Sequence, residues 1–386
     1  MSTINFIIDE KTVNRLTNNK AWLETYIPEI AKNLEGMGFK VVFDQDSNFD
    51  LMHIHIPLSL THSFILNYNG NNGYPIVYHG HATEDSFTVG EGTKYFLRNW
   101  LKKIAGQSDL IICPSKSAEE YYKALLPNHP IEQLNYGINL NKYSYSKEAR
   151  IRFREQYGIR EEETVVCCVA GISKRKGIFE FLEVARQHPD LKFIWVGGNY
   201  TNHIAIELFY KIFARNGDIC IKDIPDNLLM TGYTYDIPAA LSASDIFFFP
   251  SIHETQGLAL VEAAANARPM VVRDLPVFRE WLTHGYDCLM GTCISDFNKH
   301  IELLAEESDL AAKFGNHALE SARRHHDINI TTKRLAIIYK ELINDFRIRK
   351  QSNKNQTFEF PFKYLNNSIK SHYCSIPKLF RQDSTH

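Results

Sequence analysis

The sequence predicts an α/β protein of two domains, each built on a parallel sheet, that face each other across a cleft. A length of 386 residues suits two domains of ordinary size. Short apolar runs alternate along the chain with amphipathic helical segments, a pattern typical of strands that helices bury on both faces. A hydrophobic content of 44% with a charged content of 23% predicts a soluble globular protein.

One strand–loop–helix–strand unit is the centre of this prediction. Ile246–Phe249 is a short apolar run typical of a buried strand, and the loop after it carries His253 and Glu254. Gly257 precedes a run of good helix formers, and residues 270–272 form the next buried strand. The loop therefore lies at the carboxyl end of the sheet, where open α/β folds bind ligands.

Two glutamates eight residues apart mark this unit. Glu254 lies in the loop and Glu262 in the helix, and the backbone amides of residues 256–258 between them form the positive end of a helix dipole. Such an end suits a diphosphate, and carboxylates on either side can accept hydrogen bonds from sugar hydroxyls. We expect Glu262 to bind a ribose and Glu254 a transferred sugar. The alternative, solvated charges at a helix start, fits one glutamate better than it fits the whole pattern.

The remaining segments extend the alternation. Strands are predicted at 4–8, 40–44, 50–57, 75–78, 109–115, 163–170, 191–198 and 227–232, and helices at about 18–37, 93–106, 117–126, 178–185, 295–313 and 318–346. The predicted divisions are a first domain over 1–143, a second over 144–325, a helix over 326–348 that crosses back, and a basic tail over 349–386.

The central pattern resembles the family-four retaining glycosyltransferases of GT-B fold (glycosyl transferases group 1). It comprises Glu254-Thr-Gln-Gly257, Leu260-Val-Glu262-Ala-Ala, Pro269-Met-Val-Val and Glu280. The resemblance is strong from Val165 to Gly285 and traceable from Asp50 to Asn139. It implies two Rossmann-like domains, and a hexosyltransferase that moves sugar from a nucleotide-diphosphate donor, by the family's habit a uridine-diphosphate sugar.

Cations and glycines of the second domain fit the donor side of such a site. Arg175 and Lys176 precede Gly177 at a helix mouth, where they can hold phosphates and stabilise a leaving diphosphate. The family's arginine after the strand-end glycine is replaced here by Ile172, so Arg175 serves as a substitute. The expected donor-binding residues are Arg175, Lys176, Gly197, Gly198, Gly232, Tyr233, Thr255, Gln256, Gly257, Leu258 and Glu262.

The catalytic residues implied by the resemblance are His79, Glu254 and Lys176. His79 follows the strand at 75–78 and resembles the family histidine that faces the sugar; an imidazole there can hold a hydroxyl and stabilise developing charge. His81 competes for this role, and His53 and His55 are more distant candidates. A lone histidine is more often structural. On the acceptor side we expect Glu84, Asp85 and Trp100.

Two features depart from a simple match. The family's paired-glycine loop, which approaches the donor phosphates, corresponds here to Leu16–Lys20, which has no glycine. Asp44-Gln-Asp46 has the residue pattern of a metal-binding motif, but it follows an early strand, and we interpret the match as a chance occurrence. The expected reaction uses no metal and no cofactor, because cations and helix amides stabilise the leaving group.

Composition places the protein in the cytoplasm, with a possible attachment to the inner face of the cell membrane. No apolar run is long enough to span a bilayer, and the N-terminus has no secretion signal. The seven cysteines lack disulfide or zinc spacing, so reduced thiols are expected. The net charge is −2, but residues 347–386 carry eight basic and two acidic side chains, leaving −8 on the rest. Such a tail is either attracted to an anionic membrane or weakly ordered.

Expected partners are a nucleotide sugar, a lipid or lipid-linked glycan acceptor and an anionic membrane surface, without nucleic acid. His79–Phe87 and the Trp100 helix resemble the diacylglycerol glucosyltransferases, which favours diacylglycerol as acceptor. That helix, 93–106, either rests on lipid headgroups or packs in the core with a solvated basic edge. The alternatives are a soluble glycan or protein acceptor, a non-catalytic GT-B-like subunit that binds a partner or glycan, and a sugar-nucleotide epimerase.

Overall fold

A computed structural model describes residues 1–7, 21–43, 48–55, 73–86, 91–198, 223–234 and 236–353. The chain divides into a compact unit that ends at Ile343 and a second unit that begins at Asn344. The glycine-free Leu16–Lys20 loop, the Asp44–Asp46 motif and the tail from residue 354 lie outside the described residues.

The first half of the compact unit is a six-stranded parallel sheet. Its strands are β1 (Ser2–Ile7), β2 (Phe39–Val42), β3 (Leu51–Ile54), β4 (Ile76–His79), β5 (Leu110–Cys113) and β6 (Ile131–Gln133), in the order β2-β1-β3-β4-β5-β6. Helices α1 (Ala21–Gly36), α2 (Glu91–Ala105) and α3 (Lys116–Leu125) connect them. Strands β3, β4 and β5 are buried along their whole length, as their continuous apolar runs predict.

The second half repeats this architecture. Its strands are β7 (Val165–Val169), β8 (Lys192–Val196), β9 (Leu228–Gly232), β10 (Ile246–Phe249), β11 (Met270–Arg273) and β12 (Leu289–Gly291), in the parallel order β12-β11-β10-β7-β8-β9. The described helices are α4 (Lys147–Tyr157), α5 (Ile178–Gln187), α6 (Ile237–Ala243), α7 (Leu258–Ala265), α8 (Pro276–Arg279), α9 (Ile294–Glu306) and α10 (Ser308–His326). The two parallel sheets confirm the predicted fold class.

The C-terminal helices differ from the prediction. The helix predicted over 318–346 is divided in the structure between α10 and a further helix, α11 (Ile328–Asn353), whose start lies close to that of the helix predicted over 326–348. The break before α11 has a tertiary cause that helical periodicity does not reveal. Asp327 leaves helical geometry because it forms a parallel bridge with Ile138, in the segment that joins the two sheets.

Helix α11 packs on the first sheet although it follows the second in sequence. Ile328, Leu335, Tyr339 and Ile343 are buried in one apolar cluster with residues of β1, β2 and α1. The start of this helix therefore contributes core to the first half of the molecule. The predicted domain boundary at residue 143 stays a prediction.

Within the described ranges, no helix is both long and apolar enough to cross a membrane. The cysteines described there are free: Cys113, Cys167, Cys168 and Cys288 are buried, and Cys293 is exposed.

Candidate active site

A buried ion cluster lies at the carboxyl edge of the second sheet. The 3₁₀ turn Lys174–Lys176 follows β7, and the loop after β10 brings Glu254 against it. Lys176 Nζ donates to Glu254 Oε1, Ser251 Oγ donates to the same oxygen at 2.6 Å, and Arg175 lies 3.6 Å away. The structure thus brings together the glutamate and both cations that the sequence predicts for donor binding.

The charges in this cluster hold one another in place. Burial works to raise the pKa of Glu254, but Lys176 and Arg175 outweigh it and hold that pKa below its usual value. Burial also lowers the pKa of Lys176, against the opposing effect of Glu254. Only 7% of the Glu254 side chain is exposed. The cluster therefore presents an ionised carboxylate beside fixed cations, as recognition of a sugar and a leaving diphosphate requires.

Glycines allow the loops at this edge to approach closely. Gly177 has φ +76°, and a Cβ there would lie 2.4 Å from the carbonyl oxygen of Pro250. Gly257, with φ +85°, is the N-cap of α7 and provides no side-chain cap to the first turn. Leu258, the first helical residue, packs partly buried against the cores of both sheets. The uncapped start of α7 lies where the sequence predicts the diphosphate site.

The donor-binding residues predicted at the ends of β8 and β9 also come together. Gly197 bridges Gly232 through a 2.9 Å hydrogen bond from its N–H, and Gly198 lies next to Tyr233. The turns that follow β8 and β9 therefore lie against each other at the same edge of the sheet.

The loop after β10 also contacts the first half of the molecule. Thr255 Oγ1 donates to the carbonyl of His81 at 3.0 Å, and His253 Nε2 lies 3.1 Å from Thr83 Oγ1. The side chain of Gln256 is 2% exposed and accepts from the Tyr136 N–H at 2.7 Å. Thr255 and Gln256 therefore join the two halves through their side chains, whatever their backbones bind.

Glu262 faces the segment between the two sheets. Its carboxylate is hydrogen-bonded to Tyr143 and lies near Lys142 and Glu29. Burial raises the pKa of Glu262 to about 7, against the lowering effects of Tyr143 and Lys142. Near neutral pH this group is therefore divided between the ionised carboxylate, which accepts hydrogen bonds from ligand hydroxyls, and the protonated acid.

A cluster of four histidines lies at the carboxyl edge of the first sheet, and sequence reasoning weighed its members only one at a time. His53 lies on β3 and His55 directly follows that strand, while His79 is the last residue of β4 and His81 comes two residues later. Ile54 pairs with Tyr78 in the parallel register, so all four side chains point to one face. The signal that predicts the cluster is the repeated His-x-His on neighbouring strands.

The four rings form two hydrogen-bonded pairs stacked on each other. His53 Nε2 lies 3.2 Å from His79 Nδ1, and His55 Nδ1 lies 3.1 Å from His81 Nε2. The ring centroids of His53 and His55 are 4.0 Å apart, as are those of His79 and His81. Burial, followed by the neighbouring histidines, lowers the pKa of His53 and of His55 well below the usual value. The cluster is therefore neutral.

Tyrosines fix the proton positions in this cluster. Tyr339 of α11 hydrogen-bonds to His53 Nδ1, and Tyr136 to His81 Nδ1. Burial raises the pKa of Tyr339, so its hydroxyl keeps its proton and donates it to His53. His53 then carries its proton on Nε2 and donates a hydrogen bond to His79 Nδ1. Because His79 Nδ1 accepts this bond, the proton of the neutral His79 ring is on Nε2. Among the described residues that atom has no partner, so a neutral N–H donor is available there.

The expected acceptor-side residues lie in the first half. Glu84 is hydrogen-bonded to Tyr121, and Asp85 forms an ion pair with Lys94 at 2.8 Å. Trp100 is partly buried against the core formed by α2, α3 and the sheet. All three side chains therefore contact neighbouring elements, and no described contact joins them to the ion cluster of Glu254.

Two side chains have environments that helical periodicity and charge pattern do not indicate. Phe96 of α2 is 64% exposed, with Tyr95 beside it, while Leu97, Leu101 and Ile104 fill the core. His326, next to Arg323 and Arg324 in sequence, is fully buried, and its Nδ1 lies 2.9 Å from the carbonyl oxygen of Tyr136.

Comparison with known proteins agrees with this geometry. Glycosyl transferases group 1 matches residues 149–321, and Glycosyltransferase Family 4 matches residues 38–142. The processive diacylglycerol alpha-glucosyltransferase of Acholeplasma laidlawii is 33% identical over 71% of this chain and 80% of its own length. The alpha-monoglucosyldiacylglycerol synthase of the same organism is 25% identical over 76% of each chain.

Solved structures share the fold. HepE of Anabaena, crystallised with UDP-glucose, matches 89% of this chain and all of its own, with 18% identity and a TM-score of 0.69. Sucrose-phosphate synthase of Thermosynechococcus elongatus matches the same shares with 15% identity and a TM-score of 0.72.

The fold and the site together define a GT-B glycosyltransferase. The chain belongs to the glycosyl transferases group 1, the family-four glycosyltransferases, and is a transferase enzyme of that family.

Proposed function

We propose that this enzyme moves a hexose from a uridine-diphosphate sugar to diacylglycerol, or to a lipid-linked glycan, at a membrane surface, with retention of configuration and without a metal ion. The observation that carries the proposal is the Glu254–Lys176–Arg175 cluster beside the uncapped start of α7. It combines a sugar-binding carboxylate with the fixed positive charge that a departing diphosphate needs.

The proposed reaction is a same-face substitution at the anomeric carbon. The bond between that carbon and the diphosphate oxygen breaks, and the acceptor hydroxyl forms the new bond as it loses its proton to the leaving phosphate. Lys176, Arg175 and the first amides of α7 stabilise the negative charge that develops on the diphosphate. Glu254 and the Nε2–H of His79 hold hydroxyls of the transferred sugar.

Support for the acceptor comes from the curated relatives and from one surface. One Acholeplasma laidlawii relative is named a processive diacylglycerol alpha-glucosyltransferase, and the other an alpha-monoglucosyldiacylglycerol synthase. Helix α2 exposes Tyr95 (72%) and Phe96 (64%) on the side that also carries Lys102 and Lys103. Aromatic rings flanked by lysines suit the headgroup region of an anionic bilayer.

The reaction is tested by incubating purified full-length protein with a panel of nucleotide sugars, with and without vesicles that contain diacylglycerol, and measuring nucleoside diphosphate release. We expect release only with a UDP-sugar and only when diacylglycerol is present, at an unchanged rate after chelator treatment. Release without lipid would move the acceptor to a soluble glycan or protein. Donor binding without release from any sugar would favour a non-catalytic subunit.

The membrane surface is tested with Tyr95→Ser/Phe96→Ser, using Phe179→Ser as the matched control because Phe179 is 46% exposed elsewhere. We expect the double variant to bind anionic vesicles at least about tenfold more weakly and to keep its activity on detergent-dispersed diacylglycerol. Unchanged vesicle binding by the double variant would exclude α2 as the membrane contact.

A further inference from the structure

The histidine cluster has a property that the transfer reaction does not use. His53, His55 and His79 each offer a ring nitrogen, and the three nitrogens lie within 4.8 Å of one another. All three residues are at most 1% exposed. Within the described residues, His55 Nε2 and His79 Nε2 are buried without a hydrogen-bond partner. Buried polar atoms in native structures nearly always have a partner, which is a protein group, an ordered water or an ion.

We propose that His53, His55 and His79 form a binding site for one transition-metal ion of the Zn²⁺ class, and that the bound ion inhibits sugar transfer by occupying His79. The inhibitory part rests on the proposed function, whereas ion binding does not. Three imidazoles without a carboxylate favour Zn²⁺, Co²⁺, Ni²⁺ or Cu²⁺ over Mg²⁺ or Ca²⁺.

The spacing fits such an ion with a small adjustment. His53 Nε2 and His79 Nδ1 are 3.2 Å apart, and two nitrogens at about 2.0 Å from a tetrahedral Zn²⁺ lie about 3.3 Å apart. The widest separation in the triad is 4.8 Å, so closing it takes a shift of about 1.5 Å. Because the rings now lie stacked, binding must also turn at least one imidazole toward the ion.

The surrounding hydrogen bonds resemble those that support metal ligands. Tyr339 holds His53 through Nδ1, and His81 holds His55 through Nδ1, which leaves Nε2 of each for the ion. The proton now on His53 Nε2 would move to Nδ1, with Tyr339 accepting it, so no net proton loss is needed.

The bound ion would change what His79 can offer a sugar. In the metal-free protein His79 presents Nε2–H as a hydrogen-bond donor, in line with the proton chain from Tyr339. Turning the ring toward an ion removes that donor from its position. Inhibition by Zn²⁺ therefore follows from displacement of the Nε2–H that we assign to the sugar.

The experiment titrates chelator-treated, full-length protein with Co²⁺, followed by visible absorption, and with Zn²⁺, followed by calorimetry. We expect one ion per chain and the intense absorption of tetrahedral Co²⁺. His55→Gln should weaken binding more than about 100-fold, since loss of a supporting residue alone costs 10- to 100-fold. His317→Gln is the control because His317 is outside the cluster, stacked on Tyr286, and it should bind like the wild type.

A second measurement separates the two parts of the proposal. Zn²⁺ at saturating concentration should inhibit wild-type transfer, whereas the activity of His55→Gln should be the same with and without Zn²⁺. Absence of stoichiometric binding, or equal binding by a folded His55→Gln variant, overturns the site. Binding without inhibition of an active enzyme overturns the link to His79. If no donor supports transfer, the proposed function fails while the binding data still decide the site.

Discussion

At the residue scale, Glu262 makes donor binding depend on pH. Its pKa is raised to about 7, chiefly by burial, and ribose hydroxyls donate best to the ionised carboxylate. Protonation below pH 7 therefore competes with binding, and the apparent Kd of a UDP-sugar should rise up to about tenfold for each pH unit from 7 to 5. Calorimetry with an intact UDP-sugar measures this, since the diphosphate diester itself does not titrate in that range.

The matched variant is Glu262→Gln, which keeps the shape but does not ionise. We expect it to bind more weakly at pH 8 and to lose the dependence between pH 7 and 5. The same slope in the variant and the wild type would show that another group titrates, and Glu262 would lose its assigned role.

Lys176 should affect turnover more than donor affinity, because charge develops on the diphosphate only as the bond breaks. In Lys176→Met we expect kcat to fall about 10²- to 10³-fold, with a smaller change in the donor Kd. The neighbouring Lys174 is exposed in the same turn, so Lys174→Met should keep wild-type kcat. Single-turnover kinetics with calorimetric Kd values separate the two effects. A kcat equal to that of wild type would exclude Lys176 from catalysis.

Sequence reasoning reached the ion cluster but not the histidine cluster. Glu254, Lys176 and Gly257 can be recognised from short motifs, because each lies within a few residues of the helix start that it precedes. The four histidines form a cluster only because β3 pairs with β4 in one register, and that pairing is not local in sequence. Tyr339 was out of reach, because it arrives from a helix 286 residues beyond His53 in sequence.

At the scale of elements, uninterrupted apolar runs were the most reliable predictors of strands. Ile246–Phe249 is a strand with the predicted bounds, because four consecutive apolar residues have no solvated face in any arrangement. The edge strands β6 and β12 went unpredicted, since they are three residues long and offer too little periodicity. The helix predicted over 318–346 runs through the break at Asp327, because the cause of that break is a contact with Ile138, whereas the division predicted at 325/326 lies close to it.

The turn after β8 should be intolerant of any side chain at Gly197. Its φ is +141°, and a Cβ would lie 2.0 Å from the carbonyl oxygen of Ala170. Because the neighbour is backbone, Gly197→Ala should lower the free energy of unfolding by about 2 kcal/mol or more. Chemical denaturation measures this. Gly36→Ala, at a helix end with open space, should change it by less than about 1 kcal/mol; a similar loss in both would contradict the steric account.

At the scale of the whole molecule, hydrogen bonds join the two sheets near the site in addition to the packing of Leu258 against both cores. Thr255, Gln256 and His253 each contact a residue of the first half or of the segment after it. These contacts all come from the loop that carries Glu254. The same few residues therefore fix the position of the ion cluster relative to the first sheet.

Glu280 is the clearest case of such a link, because its carboxylate caps a helix of the other half. It accepts from the N–H groups of Lys116 and Ser117 at 2.7 and 2.8 Å, and from Ser117 Oγ at 2.8 Å. These are first-turn amides of α3, which lack intrahelical partners. Ser115 Oγ accepts from the third, that of Ala118. The cap exists only while the two halves are together.

Glu280→Ala should therefore loosen the connection between the halves as well as destabilise α3. We expect a loss of about 1–2 kcal/mol, a broader or divided transition in scanning calorimetry, and lower kcat because both halves contribute to the site. Glu132→Ala is the control: its pair with Arg334, at 3.5 Å, is nearly half exposed on both sides and should contribute less than about 1 kcal/mol. A single sharp transition with unchanged midpoint in Glu280→Ala would mean that the link carries no stability, and the joint between the halves would then rest on the loop after β10.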